Sequence, residues 1–260
     1  MQKRHKNRLQ YFEEQDHTTK KYVIPYIEET KHIGKGTKVL EIGCGEGGNL
    51  KAFLDKGCTC TGIDLSKWQI NNATNYFQKH PQFQNLTLFC TDIYEFSTKE
   101  RFDVIVMRDV IEHIPDQKKF LNFVKLFLAR EGVIFFGFPP WQMPFGGHQQ
   151  VLKNKFLSKL PYFHLLPKFC YKGILKLFRV PDNHIKTLFE FRSTGISIDR
   201  FERILKQENY RIHSRTFYFI NPNYEVKFNL KPRKQLSVLT KVPWLRNFYI
   251  TAMYYVVSNR

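Results

Sequence analysis

The chain has 260 residues, 42% of them hydrophobic and 16% aromatic, which excludes a disordered chain and allows one sizeable core with an appended subdomain. Its net charge of +18 is unevenly spread: residues 1–36 carry eight Lys/Arg against five Asp/Glu, residues 37–138 twelve of each, and residues 139–260 twenty-one against six. A neutral middle joined to a strongly basic C-terminal part favours a basic face turned toward something anionic over a uniformly solvated surface.

Residues 1–36 read as one or two helices forming an N-terminal cap. From 37 to 138, short apolar runs alternate with amphipathic segments. TKVLEIG (37–43) is a buried strand followed by a Gly-rich turn and a helix through Leu54. CTCTGIDL (58–65) is a second strand, and 66–80 a helix that Ser66 is placed to cap. NLTLFCTDI (85–93) and FDVIVMRDV (102–110) are the third and fourth strands. Residues 117–129 repeat apolar positions at helical spacing, and GVIFFGF (132–138) is a fifth strand ended by Pro139 and Pro140. This alternation of buried strands and helices predicts a doubly wound, mostly parallel α/β sheet. The rhythm breaks over 139–197, an inserted basic-apolar lid or substrate region. It returns in 198–260, with a helix to Tyr210 and strands at 211–220 and 249–259 that complete the core.

Five cysteines, at 44, 58, 60, 90 and 170, exclude a fully paired disulfide framework. No Cys-x-x-Cys pair offers zinc-ligand spacing, so reduced thiols and no metal are expected. No apolar h-region follows the basic start, and no apolar run reaches about 18 residues. The expectation is a cytoplasmic chain that at most lies peripherally on the inner face of the membrane.

The sharpest motif is Glu41-Ile-Gly43-Cys-Gly45-Glu-Gly47-Gly48, between a strand and a helix. Glycines there let backbone approach a ligand and adopt positive φ, although GxGxxG alone is a weak signal. Glu41 sits two residues before the first glycine, where it is placed to hold the ammonium of an amino-acid ligand through water or backbone. Asp64 ends the second strand, where a carboxylate can accept ribose hydroxyls, and Asp92 ends the third. Three acids at the carboxyl ends of consecutive strands mark a ligand site, whereas any one alone reads equally well as a turn or helix cap.

VLEIGCGEGGNL, then GIDLS, TDIYEF and FDVIVMRDVIEHIPD, together resemble the class I S-adenosylmethionine-dependent methyltransferase family. The resemblance covers 37–138 in order and extends loosely to 197–220 and 249–259. It implies a Rossmann-like seven-stranded sheet and S-adenosyl-L-methionine as cofactor. It also implies that Glu41, Gly43, Gly45 and Gly47 hold the methionine end, Asp64 with Leu65 the ribose, and Asp92 with Ile93 the adenine. Arg108 and Asp109 fall where family members line the methionine end. A dehydrogenase reading is weakened because no Tyr-x-x-x-Lys pair occurs.

Methyl transfer to a hydroxyl calls for a base, and histidine suits it best. His148, after a Gly-Gly hinge in the aromatic loop FPPWQMPFGGHQQ, and His113, in DVIEHIPD, are the catalytic candidates. His17 and His164 are weaker. His5, His32, His80, His184 and His213 read as surface or packing residues. Residues 151–180 hold six Lys and one Arg without an acid, and Lys168, Lys172, Lys176 and Arg179 form a stripe opposite Phe169, Leu175 and Phe178. That is the pattern of a basic amphipathic helix on an anionic membrane surface, or of an ordinary packed helix. The expected activity is methyl transfer to an oxygen of a small-molecule, lipid or membrane-linked glycan acceptor. Alternatives are an RNA or protein methyltransferase and a non-catalytic cofactor-binding adaptor, with nucleic acid the less favoured partner because no RNA-binding module is recognised.

Overall fold

The computed structural model describes residues 7–260; His5 and the first residues of the expected cap lie outside them. Eight strands form one sheet in the order β3-β2-β1-β4-β5-β8-β6-β7. They are β1 Lys38–Ile42, β2 Thr59–Asp64, β3 Leu86–Cys90, β4 Phe102–Arg108, β5 Leu128–Phe138, β6 Tyr210–Ile220, β7 Arg233–Lys234 and β8 Ala252–Asn259. The first five pair in parallel, whereas β8 runs antiparallel between β5 and β6. The expected seven strands are present, and the eighth is the two-residue β7 on the sheet edge. Four of the five residues of β1 are buried, and so is every apolar residue of β8. Near-continuous apolar runs of this kind fit strands covered on both faces.

One face of the sheet packs under α5 (Gln117–Val124) and α8 (Ile198–Gln207), with Phe120, Leu121, Phe201 and Leu205 in that core. Ile198, Phe201, Ile204 and Leu205 recur at helical spacing along α8, and Ser197 caps it by accepting the Arg200 N–H at 3.1 Å. The other face is covered by α1 (Arg8–Thr18), α2 (Ile24–Glu28), α3 (Gly48–Asp55) and α4 (Lys67–Phe77), whose Phe12, Ile27, Phe53 and Phe77 form a second core. Ser66 caps α4 as its sequence position suggests. A π-turn over Thr19–Val23 joins α1 to α2.

The two boundaries that differ most from those read in the sequence adjoin one another. The helix of 117–129 ends at Val124, and β5 begins at Leu128. Leu128 fits a helical repeat from Val124, but it pairs with Phe102 across a bulge before Val133 pairs with Val104. Residues 139–197 carry their own small core of Leu152, Leu157, Phe163, Tyr171, Leu175, Ile185 and Leu188. Within them lie α6 (Lys168–Leu177) and α7 (Asp182–Thr194), the latter with no counterpart in the sequence reading. Lys168, Lys172 and Lys176 of the basic stripe fall on α6, whereas Arg179 lies past its end at φ 53°, and the apolar partners divide: Leu175 is buried beside Tyr171, whereas Phe169 is 77% exposed. Phe178, just past the helix end, is also exposed. Two buried positions one turn apart, Tyr171 and Leu175, suffice to anchor a short helix on so small a core.

Candidate active site

The strand order reverses between β1 and β4, and the carboxyl ends of strands at such a switch point are where open α/β sheets bind ligands. A cavity of about 400 Å³ opens there. Gly43, Asp64, Leu65, Asp92, Ile93 and His113, all named from the sequence, share its wall. Val110, Tyr94 and Phe120 supply apolar surface between them.

The glycine loop is shaped by contact. Gly43 has φ +72°, and a Cβ on it would meet Val110 at 2.6 Å. Gly47 has φ +80°, and a Cβ there would meet Phe77 at 2.8 Å. Gly43 lines the cavity whereas Gly45 and Gly47 do not, and a side chain at Gly43 or Gly47 would force the loop or its neighbour to shift. Asp64 holds the loop from the other side, accepting the Gly45 N–H at 2.8 Å on one oxygen and the Ser66 N–H at 2.8 Å on the other. Each carboxylate oxygen keeps a second lone pair, so Asp64 braces the loop while still able to receive a hydroxyl.

Glu41 and Arg108 do not line this cavity. They lie behind the loop in a network that the sequence reading missed. Glu41 accepts from Asn49 Nδ2 at 2.6 Å, and Asn49 Oδ1 accepts from Arg108 at 2.9 Å and from the Thr19 hydroxyl at 2.7 Å. Burial pushes the Glu41 carboxyl up to about 8, against the opposing pull of Asn49 and Arg108. Its second oxygen is buried without a hydrogen-bond partner. The π-turn places Thr19 in this network, and Asn49 opens α3 one residue after the last glycine. Asn49 follows the motif directly in sequence, which was the signal available. Arg8 adds a second tie, donating to buried Glu46 at 2.7 and 2.5 Å and fastening α1 over the loop.

A second cavity, of about 460 Å³, lies beside the first and is lined by Asp109, Glu112, His148, Met143, Phe145 and Tyr224, among others. His113 belongs to the first cavity and His148 to the second, and their rings stand 5.0 Å apart. Phe191 of α7 packs on both, at 5.1 and 4.7 Å between centroids. Burial, helped by His113 and His164, pulls His148 down to about 4, and burial also lowers His113 against the pull of Asp109. Both shifts favour the neutral imidazole. The glycines before His148 do not form an open hinge, because a Cβ on Gly147 would meet the His164 side chain at 2.2 Å. They are small so that the loop can pack, and His148 itself sits at φ 54°. His164 is fixed on the Trp141 carbonyl at 2.7 Å, and His17 is half exposed near Glu225.

Glu112, His113 and His148 bring three ligand-type atoms within 4.8 Å of one another, the cluster among the described residues able to hold a metal ion. No Cys takes part in it, which is why cysteine spacing did not announce it.

A switch-point cavity with a glycine loop on one side and strand-end acids on the other is the arrangement of a Rossmann-like fold. Residues 11–160 match the family described as Methyltransferase domain, and the chain belongs to that family. It is 34% identical over 115 residues to the ubiquinone biosynthesis O-methyltransferase of Coxiella burnetii, covering 44% of this chain and 47% of that protein. It is 30% identical over 144 residues to the protein of the same name from Pasteurella multocida, covering 50% and 60%. The chain thus spans about half the length of the curated relatives it matches. Among solved structures, the plantazolicin methyltransferase BpumL in complex with SAH superposes with a TM-score of 0.55 at 17% identity, covering 97% and 84%. An S-adenosylmethionine-dependent methyltransferase from Clostridium acetobutylicum superposes at 0.56 with 14% identity, covering 93% and 91%. These two likenesses establish the fold.

Proposed function

We propose that the protein is an S-adenosylmethionine-dependent methyltransferase acting on an oxygen of a small-molecule, lipid or membrane-linked glycan acceptor. The observation that carries this is the first cavity, whose wall joins Gly43, Asp64 and Asp92 at the sheet's switch point. Its residues fit the cofactor. The backbone approaches closely at Gly43, Asp64 is placed for the ribose with Leu65 beside it, and Asp92 and Ile93 flank the place for adenine. The unpartnered Glu41 oxygen behind the glycine loop leaves a free acceptor near the place for an ammonium. When bound, S-adenosylmethionine supplies a methyl group on a sulfonium: a C–O bond forms as the C–S bond breaks, and the C–S electrons remain on sulfur.

The chain's own part is to align the acceptor, exclude water and accept the hydroxyl proton. His148 and His113 stand where the two cavities meet, so either imidazole is placed to take that proton. Holding acceptor and methyl in line is worth as much as about 7–11 kcal/mol of barrier. Residues 139–197, with their own core, supply the wall of the acceptor cavity through Met143, Phe145 and His148. Beyond it opens a cleft of about 600 Å³ that shares Phe145 and Tyr224 and is rimmed by Lys153, Lys155, Lys159 and Lys227. That rim favours an acceptor with an apolar body and an anionic group. The names of the relatives from Coxiella burnetii and Pasteurella multocida support oxygen as the methylated atom. No helix among the described residues is long and apolar enough to cross a membrane. An anionic membrane surface is the favoured partner of α6, where Phe169 and Leu177 stand exposed beside Lys168, Lys172 and Lys176.

Calorimetric titration with S-adenosylmethionine, S-adenosylhomocysteine and NAD tests the cofactor. Micromolar binding of the first two and poor binding of NAD are expected. Tight NAD binding, or none of the three, overturns the reading.

A further inference from the structure

The cleft of about 600 Å³ beside the acceptor cavity has four lysines in its wall and no acid. Lys153, Lys155 and Lys159 are exposed, and no carboxylate among the described residues pairs with them. A concave surface lined by charge of one sign focuses its field and concentrates the opposite charge. The loop that carries these three lysines is held in shape. Leu152 and Leu157 are buried in the small core of 139–197, and Asn154 Oδ1 accepts the N–H groups of Phe156 and Leu157, each at 3.0 Å. The floor of the cleft is apolar, with Phe145, Leu152 and Leu230, and the Lys227 ammonium lies 5.0 Å from the Phe228 ring centroid. The cleft is continuous with the acceptor cavity, because Phe145, Gln150, Tyr224 and Lys227 line both. Charge is thus divided along one channel: Asp109 and Glu112 stand at the inner end with His148, and the lysines at the outer end. An anionic group is disfavoured at the first and favoured at the second.

We propose that the outer cleft binds a phosphoryl end group of an amphiphilic acceptor, whose apolar chain passes Phe145 and Tyr224 toward the reacting hydroxyl in the inner cavity. Lysine is a point-charge donor that suits phosphate, whereas a planar carboxylate is better matched by the arginine fork, and no arginine lines the cleft. A phosphate monoester carries about −1.5 to −2 charges at pH 7, so several lysines can share it. A carboxylate offers one charge to the same four cations. The apolar floor adds a surface for the chain that a free phosphate ion would leave uncovered. The phosphoryl site stands on the lining of the cleft; the place of the hydroxyl rests on the oxygen-methylation reading above.

The test is calorimetric titration of the full chain, without cofactor, at low and raised salt. The probes are decyl phosphate, decanoate, decanol, butyl phosphate and inorganic phosphate, each below the concentration at which it forms micelles. Decyl phosphate is expected to bind at least about tenfold more tightly than the other four, and to weaken as salt rises. Lys153→Ala, Lys155→Ala and Lys159→Ala combined should remove its advantage over decanol, whereas Lys168→Ala, Lys172→Ala and Lys176→Ala combined on α6 should leave it. Tm and S-adenosylhomocysteine affinity of each variant check folding, and Lys155→Glu alone decides if the triple variant of the cleft does not fold. Decyl phosphate that binds no more tightly than decanol, as tightly to the cleft variant as to wild type, or as weakly to the α6 variant as to the cleft variant, overturns the site. Equal affinity for decanoate overturns the phosphoryl class, and equal affinity for butyl or inorganic phosphate overturns the apolar chain. Undiminished decyl phosphate binding by a protein that ignores S-adenosylmethionine would instead overturn the methyl-transfer reading and leave the phosphoryl site standing.

Discussion

Changing Asp64 to alanine separates a strut from a ligand-binding group. The carboxylate accepts two backbone N–H groups at 2.8 Å, from Gly45 and Ser66. Hydrogen bonds to a charged acceptor are worth about 1.5–3 kcal/mol each. Asp64 is only half-buried, so water replaces part of that loss, and the expected destabilisation is about 2–3 kcal/mol, a fall in Tm of roughly 5–10 °C. If two ribose hydroxyls also bind this carboxylate, their loss removes about 2–4 kcal/mol of binding, a 30- to 700-fold weakening. Asp64→Asn keeps one acceptor oxygen and should fall between wild type and alanine on both scales. Differential scanning calorimetry reads the first effect, and titration with S-adenosylmethionine well below Tm reads the second. The ribose assignment fails if Asp64→Ala melts lower yet binds the cofactor as tightly as wild type, because Asp64 then only braces the glycine loop.

Two further outcomes follow from the charges. Glu41 has a folded pKa raised from 4.5 to about 8, so its contribution to stability is complete below about pH 4.5 and is lost as pH rises through 8. Ligand-free wild type should therefore lose about 2 kcal/mol between pH 6 and pH 8 relative to Glu41→Gln; parallel urea midpoints for the two proteins across that range would remove the buried-carboxyl account. On α6, changing Lys168, Lys172 and Lys176 together to glutamate should abolish salt-sensitive co-sedimentation with anionic vesicles, since each cation near such a surface is worth about 1 kcal/mol. Unchanged sedimentation of the triple variant would show that the exposed stripe is a solvated helix face.

The core was legible because each of its signals is local. The runs of β1, β2 and β4 are apolar on both faces, and the glycine loop and the strand-end acids follow them at fixed offsets, so period and punctuation alone place Gly43, Asp64 and Asp92 around one cavity. Thr19 was not legible, since a threonine inside a helix looks ordinary until a π-turn brings it to Arg108, whereas Asn49 was signalled only by its place directly after the glycine motif. Helix α7 escaped notice because its buried positions are few, Ile185, Leu188 and Thr194, and its moderate periodicity lies in a stretch rich in charges.

The two histidines show where sequence reasoning stops. Each is separately conspicuous, one after the fourth strand and one after the fifth, and the reading in sequence made them rivals for a single role. Adjacent parallel strands end side by side, so residues just past β4 and β5 must lie close together whatever their separation along the chain. The fold therefore makes His113 and His148 partners, 5.0 Å apart, with Phe191 against both and the buried Glu112 carboxylate within 4.8 Å of each. Either ring therefore serves the same junction between the cavities, which is why the sequence alone could not choose between them.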